Sequence, residues 1–168
     1  GFYWQKFERQ DQKLMPPRKI KQNLDGKGLG IAVVTARFND YITDQMSALV
    51  VTRLGELGVA SDDIVIVQTP GAFELPLIAR RLGERGDIDA VICIGAVIRG
   101  DTDHYEFVAR AATEGIARAS DDSGKPVIFG VLTTDNTDDA VVRIGHASGY
   151  ADAAVEMANT LRQMHELA

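Results

Sequence analysis

The feature that most restricts the fold of this sequence is the alternation, from Leu29 onward, of short apolar runs with longer amphipathic segments. Four apolar runs are predicted to be β-strands: Leu29–Ala36, Asp63–Thr69, Ala90–Ala96 and Pro126–Thr133. Because helical segments separate these strands, the sequence predicts a parallel sheet with helices on both faces, an α/β fold. The third run, AVICIGA, is the most apolar and is predicted to be the central strand.

The segments between the strands carry apolar residues at helical spacing. In the first segment these positions are Ile42, Met46, Leu49, Val50, Leu54 and Leu57, and Gly58 is a suitable stop. A second helix is predicted in ELPLIARRLGER, where Pro76 fits only the first turn. A third helix is predicted to begin near Asp103, and its inward-facing residues are Val108, Ala111, Ala112, Gly115 and Ile116. Two further helical stretches are predicted at Thr137–Ile144 and Tyr150–Glu166.

Composition narrows the class of protein. A chain of 168 residues can form one domain with a buried core, and its net charge of −6 argues against a nucleic-acid surface. The single cysteine, Cys93, suits a reducing cytoplasm and is predicted to be an inert core thiol. No apolar run approaches the roughly 20 residues of a membrane helix, and no secretory signal is recognised. We expect a cytoplasmic protein without nucleic-acid or membrane partners.

The first residues differ in character from the rest of the chain. Four of the first seven are aromatic, which is unusual for a solvated tail, and the segment begins without methionine. Residues 1–14 are either an added segment that precedes a native start at Met15, or an N-terminal arm that packs on a neighbouring chain. The predicted division is an arm at residues 1–19 and a single domain at residues 20–168.

Polar and aromatic residues follow each predicted strand, in the loops RFND, PGAFE, VIRGDTDH and TTDNT. Ligands of such sheets bind at the carboxyl ends of the strands, so these loops are the candidate site. In the third loop Gly100 allows close backbone approach, and Asp103 with Glu106 fits the spacing of a capping box. A helix start there predicts an anion site to which the hydroxyl of Thr102 adds a donor.

His104 lies in the first turn of that helix and has two interpretations. The positive helix end favours neutral imidazole, which can accept a proton as a general base. The alternative is a partly exposed histidine with a hydrogen bond on the cap side. Arg99 and Arg143 are either anion ligands or charges at a surface or subunit interface.

The other loops leave similar alternatives. Phe38 and Phe73 could stack on a planar heterocycle or pack in the core. Glu74 could accept hydrogen bonds from hydroxyl groups or favour a helix start, and Asn39 could be only a turn or cap residue. DGKGLG precedes a strand and lacks phosphate-loop spacing, the three histidines lack metal-ligand spacing, and no G-x-S-x-G motif occurs. No metal site is therefore expected.

Taken together, the loops resemble successive signatures of the 6,7-dimethyl-8-ribityllumazine synthase family. The matching stretches are GLGIAVVTARFND, TPGAFELP, IGAVIRGDTDHYEFV, PVIFGVLTTDNTDDA and AAVEMAN, from about Leu24 to the C-terminus. The resemblance implies a flavodoxin-like fold with a four-stranded parallel sheet. It also implies an enzyme that joins 5-amino-6-ribitylamino-uracil to 3,4-dihydroxy-2-butanone 4-phosphate in riboflavin synthesis, without cofactor or metal. Self-association into pentamers or larger shells is implied as well.

The same resemblance implies roles for individual residues. The substrate-binding set is Phe38, Asn39, Ala72, Phe73, Glu74, Val97, Ile98 and Phe129, the last from an adjacent subunit. The phosphate-binding set is Gly100, Asp101, Thr102 and Arg143, and His104 is the proton-transfer residue.

One stretch departs from the family pattern. The segment after Arg143 is several residues shorter than usual and lacks the family's lysine, and His146 falls near its place. This departure and the unusual N-terminus keep open an alternative, a structural shell or engineered scaffold with reduced or no activity. An archaeal-type riboflavin synthase is a further alternative, which RGDTDH and PGAFE disfavour. A generic flavodoxin-like binding module would not need the full set of loops.

Overall fold

A computed structural model describes residues 15–167 of the chain. The strands are β1 (Ile31–Ala36), β2 (Ile64–Thr69), β3 (Ala90–Ile98) and β4 (Val127–Thr134). The helices are α1 (Asp40–Glu56), α2 (Leu75–Gly83), α3 (His104–Ser123), α4 (Thr137–Val141) and α5 (Ser148–His165). Single 3₁₀ turns lie at Ser61–Asp63, Ala72–Glu74 and Ile144–Ala147. The aromatic segment at residues 1–14 lies outside the described residues, so both interpretations of it stay predictions.

The four strands form one parallel sheet in the order β2-β1-β3-β4. This confirms the predicted α/β class and the flavodoxin-like order, in which β3 is internal between β1 and β4. β3 continues two residues beyond the predicted end, because Val97 and Ile98 remain paired with Thr133 and Thr134 of β4. The longer strand carries these two residues to the carboxyl edge of the sheet.

Alternate residues of the strands enter two separate cores. Val33 and Ile92 face α1 and α5, whereas Val34 and Cys93 face α2 and α3. Cys93 is fully buried, and burial raises the pKa of its thiol to about 12, as expected for an inert core thiol. Among the described residues, no helix combines the length and the apolar character needed to cross a membrane.

The helix predicted at Thr137–Ile144 is shorter in the structure. α4 begins where the side chain of Asn136 accepts a hydrogen bond from the Asp139 N–H at 2.8 Å, and it ends at Val141. The Arg143 N–H then donates to the carbonyl of Ala140, three residues back, which tightens the chain into a corner. Arg143 therefore lies at a turn between two helices and not within one.

Candidate active site

A cleft of about 610 Å³ opens at the carboxyl ends of the strands, where the loops after β1, β2 and β3 meet the start of α3. Its size is that of a small-molecule site. The lining residues are Phe38, Pro70, Gly71, Ala72, Phe73, Glu74, Ala96, Val97, Ile98, Gly100, Thr102, His104, Tyr105 and Val108. Nine of the thirteen residues predicted for the site are among them. The cleft thus brings together residues from three separate loops.

Phe38 and Phe73 form an aromatic side of the cleft. Their exposed fractions are 73% and 63%, which excludes the alternative that they are core residues. The Phe38 N–H donates to the carbonyl of Pro70 at 3.0 Å, so the turn after β1 is held against the turn after β2. Two exposed rings on adjacent loops suit the faces of a planar heterocycle.

Asn39 stabilises the turn that carries Phe38. It has a left-handed backbone with φ of 63°, the one positive φ outside glycine in the described part of the chain. Its side-chain amide donates to the carbonyl of Ala96 at 2.8 Å, which connects this turn to the end of β3. Asn39 occupies the N-cap position of α1 but makes no cap hydrogen bond through its side chain, so it is a turn residue whose side chain connects two loops.

Replacing Asn39 by alanine should lower the free energy of unfolding by about 2 kcal/mol, since the change removes a hydrogen bond and strains a left-handed residue. Glycine at this position loses the hydrogen bond but tolerates the backbone, so we expect a loss of about 1 kcal/mol or less. Urea unfolding of both variants measures the difference. Equal losses for alanine and glycine would show that backbone strain plays no part.

The loop after β3 leads into the anion side of the cleft. His104 is the first residue of α3 and is exposed, with its side chain at the cleft. The predicted capping box is wrong, because Asp103 makes no side-chain cap and the Glu106 carboxylate pairs with Arg99 instead. The His104 N–H donates to Thr102 Oγ1 at 3.3 Å. A hydroxyl that accepts this bond keeps its own proton, so Thr102 can still donate to an anion.

Four predicted site residues do not line the cleft: Asn39, Asp101, Phe129 and Arg143. Arg143 lines a separate depression of about 200 Å³ together with Thr133, Thr134, Asp135 and Asp139. Its Nη1 donates to the carbonyl of Asp139 at 2.6 Å. Phe129 lies on the edge strand β4 with 40% of its surface exposed. Most of the residues assigned to substrate therefore line the cleft, whereas Arg143 lies in a separate depression of the same chain.

Five lining residues were not predicted: Pro70, Gly71, Ala96, Tyr105 and Val108. Pro70 and Gly71 belong to the predicted loop PGAFE without a role of their own, and Val108 is predicted only as an inward position of a helix. Ala96 ends the most apolar run, where nothing distinguishes a lining residue from a core residue. Tyr105 follows His104 directly, and its ring lies under the Arg99 guanidinium at 4.4 Å.

The parallel order and the cleft at its carboxyl edge define a flavodoxin-like α/β protein with a small-molecule site beside a helix start. The family model of 6,7-dimethyl-8-ribityllumazine synthase matches residues 28–162. A 6,7-dimethyl-8-ribityllumazine synthase of Desulfosudis oleivorans is 43% identical over 150 residues, which cover 86% of this chain and 96% of that protein. One of Nitratidesulfovibrio vulgaris is 43% identical over 152 residues, covering 89% and 97%. The chain belongs to the 6,7-dimethyl-8-ribityllumazine synthase family.

Proposed function

We propose that this protein joins 5-amino-6-ribitylamino-uracil to 3,4-dihydroxy-2-butanone 4-phosphate, with loss of phosphate and water, to give 6,7-dimethyl-8-ribityllumazine. The observation that carries the proposal is one cleft with exposed aromatic rings at one side and, at the other, a helix start with a histidine, where Asp103 makes no side-chain cap. A planar heterocycle suits the first side and a phosphate ester suits the second. Family membership makes this pair of substrates the natural choice.

The pyrimidine side is formed by the loops after β1, β2 and β3. Phe38 stacks on the ring with Asn39 beside it, and Val97 and Ile98 present backbone polar groups to the pyrimidine. Ala72, Phe73 and Glu74 hold the ribityl chain, with the carboxylate of Glu74 accepting hydrogen bonds from hydroxyl groups. The support is that these residues, apart from Asn39, line one continuous cleft.

The phosphate side is formed by Gly100 and Thr102, which line the cleft just before α3, together with Asp101 between them. Imine formation and β-elimination of phosphate both require proton transfers, and His104 relays these protons from the first turn of the helix. The exposed imidazole of His104 lies at the cleft, so it can reach bound substrate. Neither step requires a metal ion or a redox cofactor.

The site is completed by a second copy of the chain. Phe129 and Arg143 lie outside the cleft of their own chain. The chain also exposes large apolar side chains, among them Phe107 at 73% and Val142, next to Arg143 in sequence, at 71%. Such side chains suit contact between subunits, so an adjacent subunit supplies Phe129 and the Arg143 guanidinium to the cleft. A homopentamer is the smallest assembly proposed, and larger shells can be built from it. The mass in solution tests this, since a monomer would exclude a shared site.

Formation of the lumazine chromophore from the two substrates tests the reaction. We expect product well above the uncatalysed background, without added metal or cofactor. We also propose that the protein is cytoplasmic. Both relatives are named as synthases, and neither name favours an inactive shell or scaffold. If both substrates were mixed with the assembled protein and product formed only at the background rate, the proposed reaction would be excluded and the shell alternative would stand.

A further inference from the structure

The side chain of Arg99, directly after β3, spans the loop that contains the anion side of the cleft. Its Nε donates to Asp135 Oδ1 at 3.0 Å, and its Nη1 approaches Glu106 Oε1 at 3.5 Å. Its guanidinium carbon lies 4.4 Å from the centroid of the Tyr105 ring. The Arg99 N–H also donates to the carbonyl of Thr134 at 2.9 Å, which continues the pairing of β3 with β4. One residue therefore contacts the end of β4, the loop after β4 and the first turn of α3.

These contacts close a short loop at both of its ends. The loop comprises residues 100–103, and the contacts of Arg99 on its far side are with Tyr105 and Glu106, the two residues that follow His104. Rotation or displacement of the first turn of α3 would break both contacts. Arg99 is thus placed to restrain the first turn of α3, which carries His104.

We propose that Arg99 is a positioning residue that holds the anion-binding loop and the first turn of α3 in the geometry that receives the phosphate ester. This inference rests on the proposed function of the cleft. It also decides between the two sequence interpretations of Arg99. The residue is not an anion ligand, because its Nε is bound to Asp135, its charge faces two carboxylates, and it does not line the cleft.

The position of Arg99 separates this role from a general contribution to stability. The side chain is 44% exposed, and its partners Glu106 and Asp135 are 64% and 76% exposed. Ion pairs between exposed side chains contribute little to the stability of a fold, and salt screens them. A variant at Arg99 should accordingly fold normally while the loop geometry relaxes. The ammonium group of lysine cannot contact two carboxylates and an aromatic ring at once as the planar guanidinium does, so lysine should restore the geometry only in part.

The test is steady-state kinetics of Arg99→Gln and Arg99→Lys with each substrate varied in turn. We expect the KM for 3,4-dihydroxy-2-butanone 4-phosphate to rise about tenfold in Arg99→Gln and about threefold in Arg99→Lys. The KM for the pyrimidine should change little, because the side chain of Arg99 contacts Tyr105, Glu106 and Asp135, none of which is assigned to the pyrimidine. Inorganic phosphate should inhibit Arg99→Gln about tenfold less strongly. Arg85→Gln is the matched control, an exposed arginine paired with Asp87 before β3 at the opposite edge of the sheet, and it should behave as the parent protein.

A double variant shows whether Arg99 acts through the first turn of α3. Because Arg99 and Glu106 form one contact, the Glu106→Gln change should add little to the effect of Arg99→Gln. An unchanged KM for the phosphate ester in Arg99→Gln would overturn the positioning role, as would equal rises in both KM values. Absence of product with the parent protein would instead overturn the proposed function. Thermal unfolding of each variant identifies any loss of fold.

Discussion

Replacing Arg143 by methionine should lower kcat/KM for the phosphate-bearing substrate by about 10²–10³-fold. The leaving phosphate develops charge during β-elimination, and a fixed guanidinium can bind two of its oxygens at once. Methionine keeps much of the length of the side chain but removes both the charge and the hydrogen-bond donors. The family resemblance implies a lysine after Arg143 that this sequence does not contain, so we expect the guanidinium to carry more of this task.

Initial rates at varied concentrations of the phosphate ester measure the loss. Arg162→Met is a matched control, since Arg162 is an exposed arginine of α5 that contacts Asp89 at the start of β3, far from the carboxyl edge. Arg143→Lys should retain part of the rate, because lysine keeps the positive charge but cannot bind two phosphate oxygens as the planar guanidinium does. A loss of less than about threefold in Arg143→Met would remove this residue from the phosphate site.

Mixed assemblies test whether Arg143 acts on the cleft of an adjacent subunit. Arg143→Met and His104→Ala subunits are unfolded, mixed in equal amounts and refolded together. In a head-to-tail ring, a site formed by an intact His104 and a neighbour's intact Arg143 arises at roughly one interface in four, so about a quarter of the parent activity should return. Each variant refolded alone should remain slow. No recovery in assemblies shown by mass to be mixed would place both residues in one subunit.

The sheet could be predicted because its sequence signals are local. Strands of a parallel sheet tend to be continuous apolar runs, and the four runs found in the sequence are the four strands of the structure, although Val65 and Ile66 of the edge strand β2 are exposed. The placement of Phe38, Phe73 and His104 at one cleft followed from the rule that loops at the carboxyl edge of a parallel sheet meet. Neither step required knowledge of side-chain contacts.

The remaining features depend on competition between side chains distant in sequence. The spacing of Asp103 and Glu106 fits a capping box, but Glu106 is drawn to Arg99, whose position depends on the pairing of β3 with β4. The turn at Arg143 arises from a backbone hydrogen bond to the carbonyl of Ala140, and no residue type in the sequence predicts this bond. The separation of Arg143 from the cleft likewise follows only from the path of β4 and α4. A pattern along one chain also cannot indicate which residues belong to a neighbour's site.

Replacing His104 by alanine should lower kcat by about 10- to 100-fold, at or below the lower end of the effect of a positioned proton-transfer group. The effect is limited because His104 is exposed, so water or buffer can carry part of the proton transfer. Much of the acceleration should also persist because the cleft still holds both substrates face to face. The KM values should change little, since the amides of the first turn of α3 do not depend on the imidazole.

The decisive measurement is rescue of His104→Ala by added imidazole, because only a lost proton carrier can be replaced from solution. The rate should rise with the concentration of neutral imidazole and saturate if imidazole occupies the space vacated at the cleft. His165→Ala, at the exposed end of α5, is the matched control and should keep the parent rate with or without imidazole. A normal rate in His104→Ala would exclude proton transfer by this residue. A slow variant that imidazole leaves slow would assign His104 to holding the phosphate, since that task needs a tethered donor.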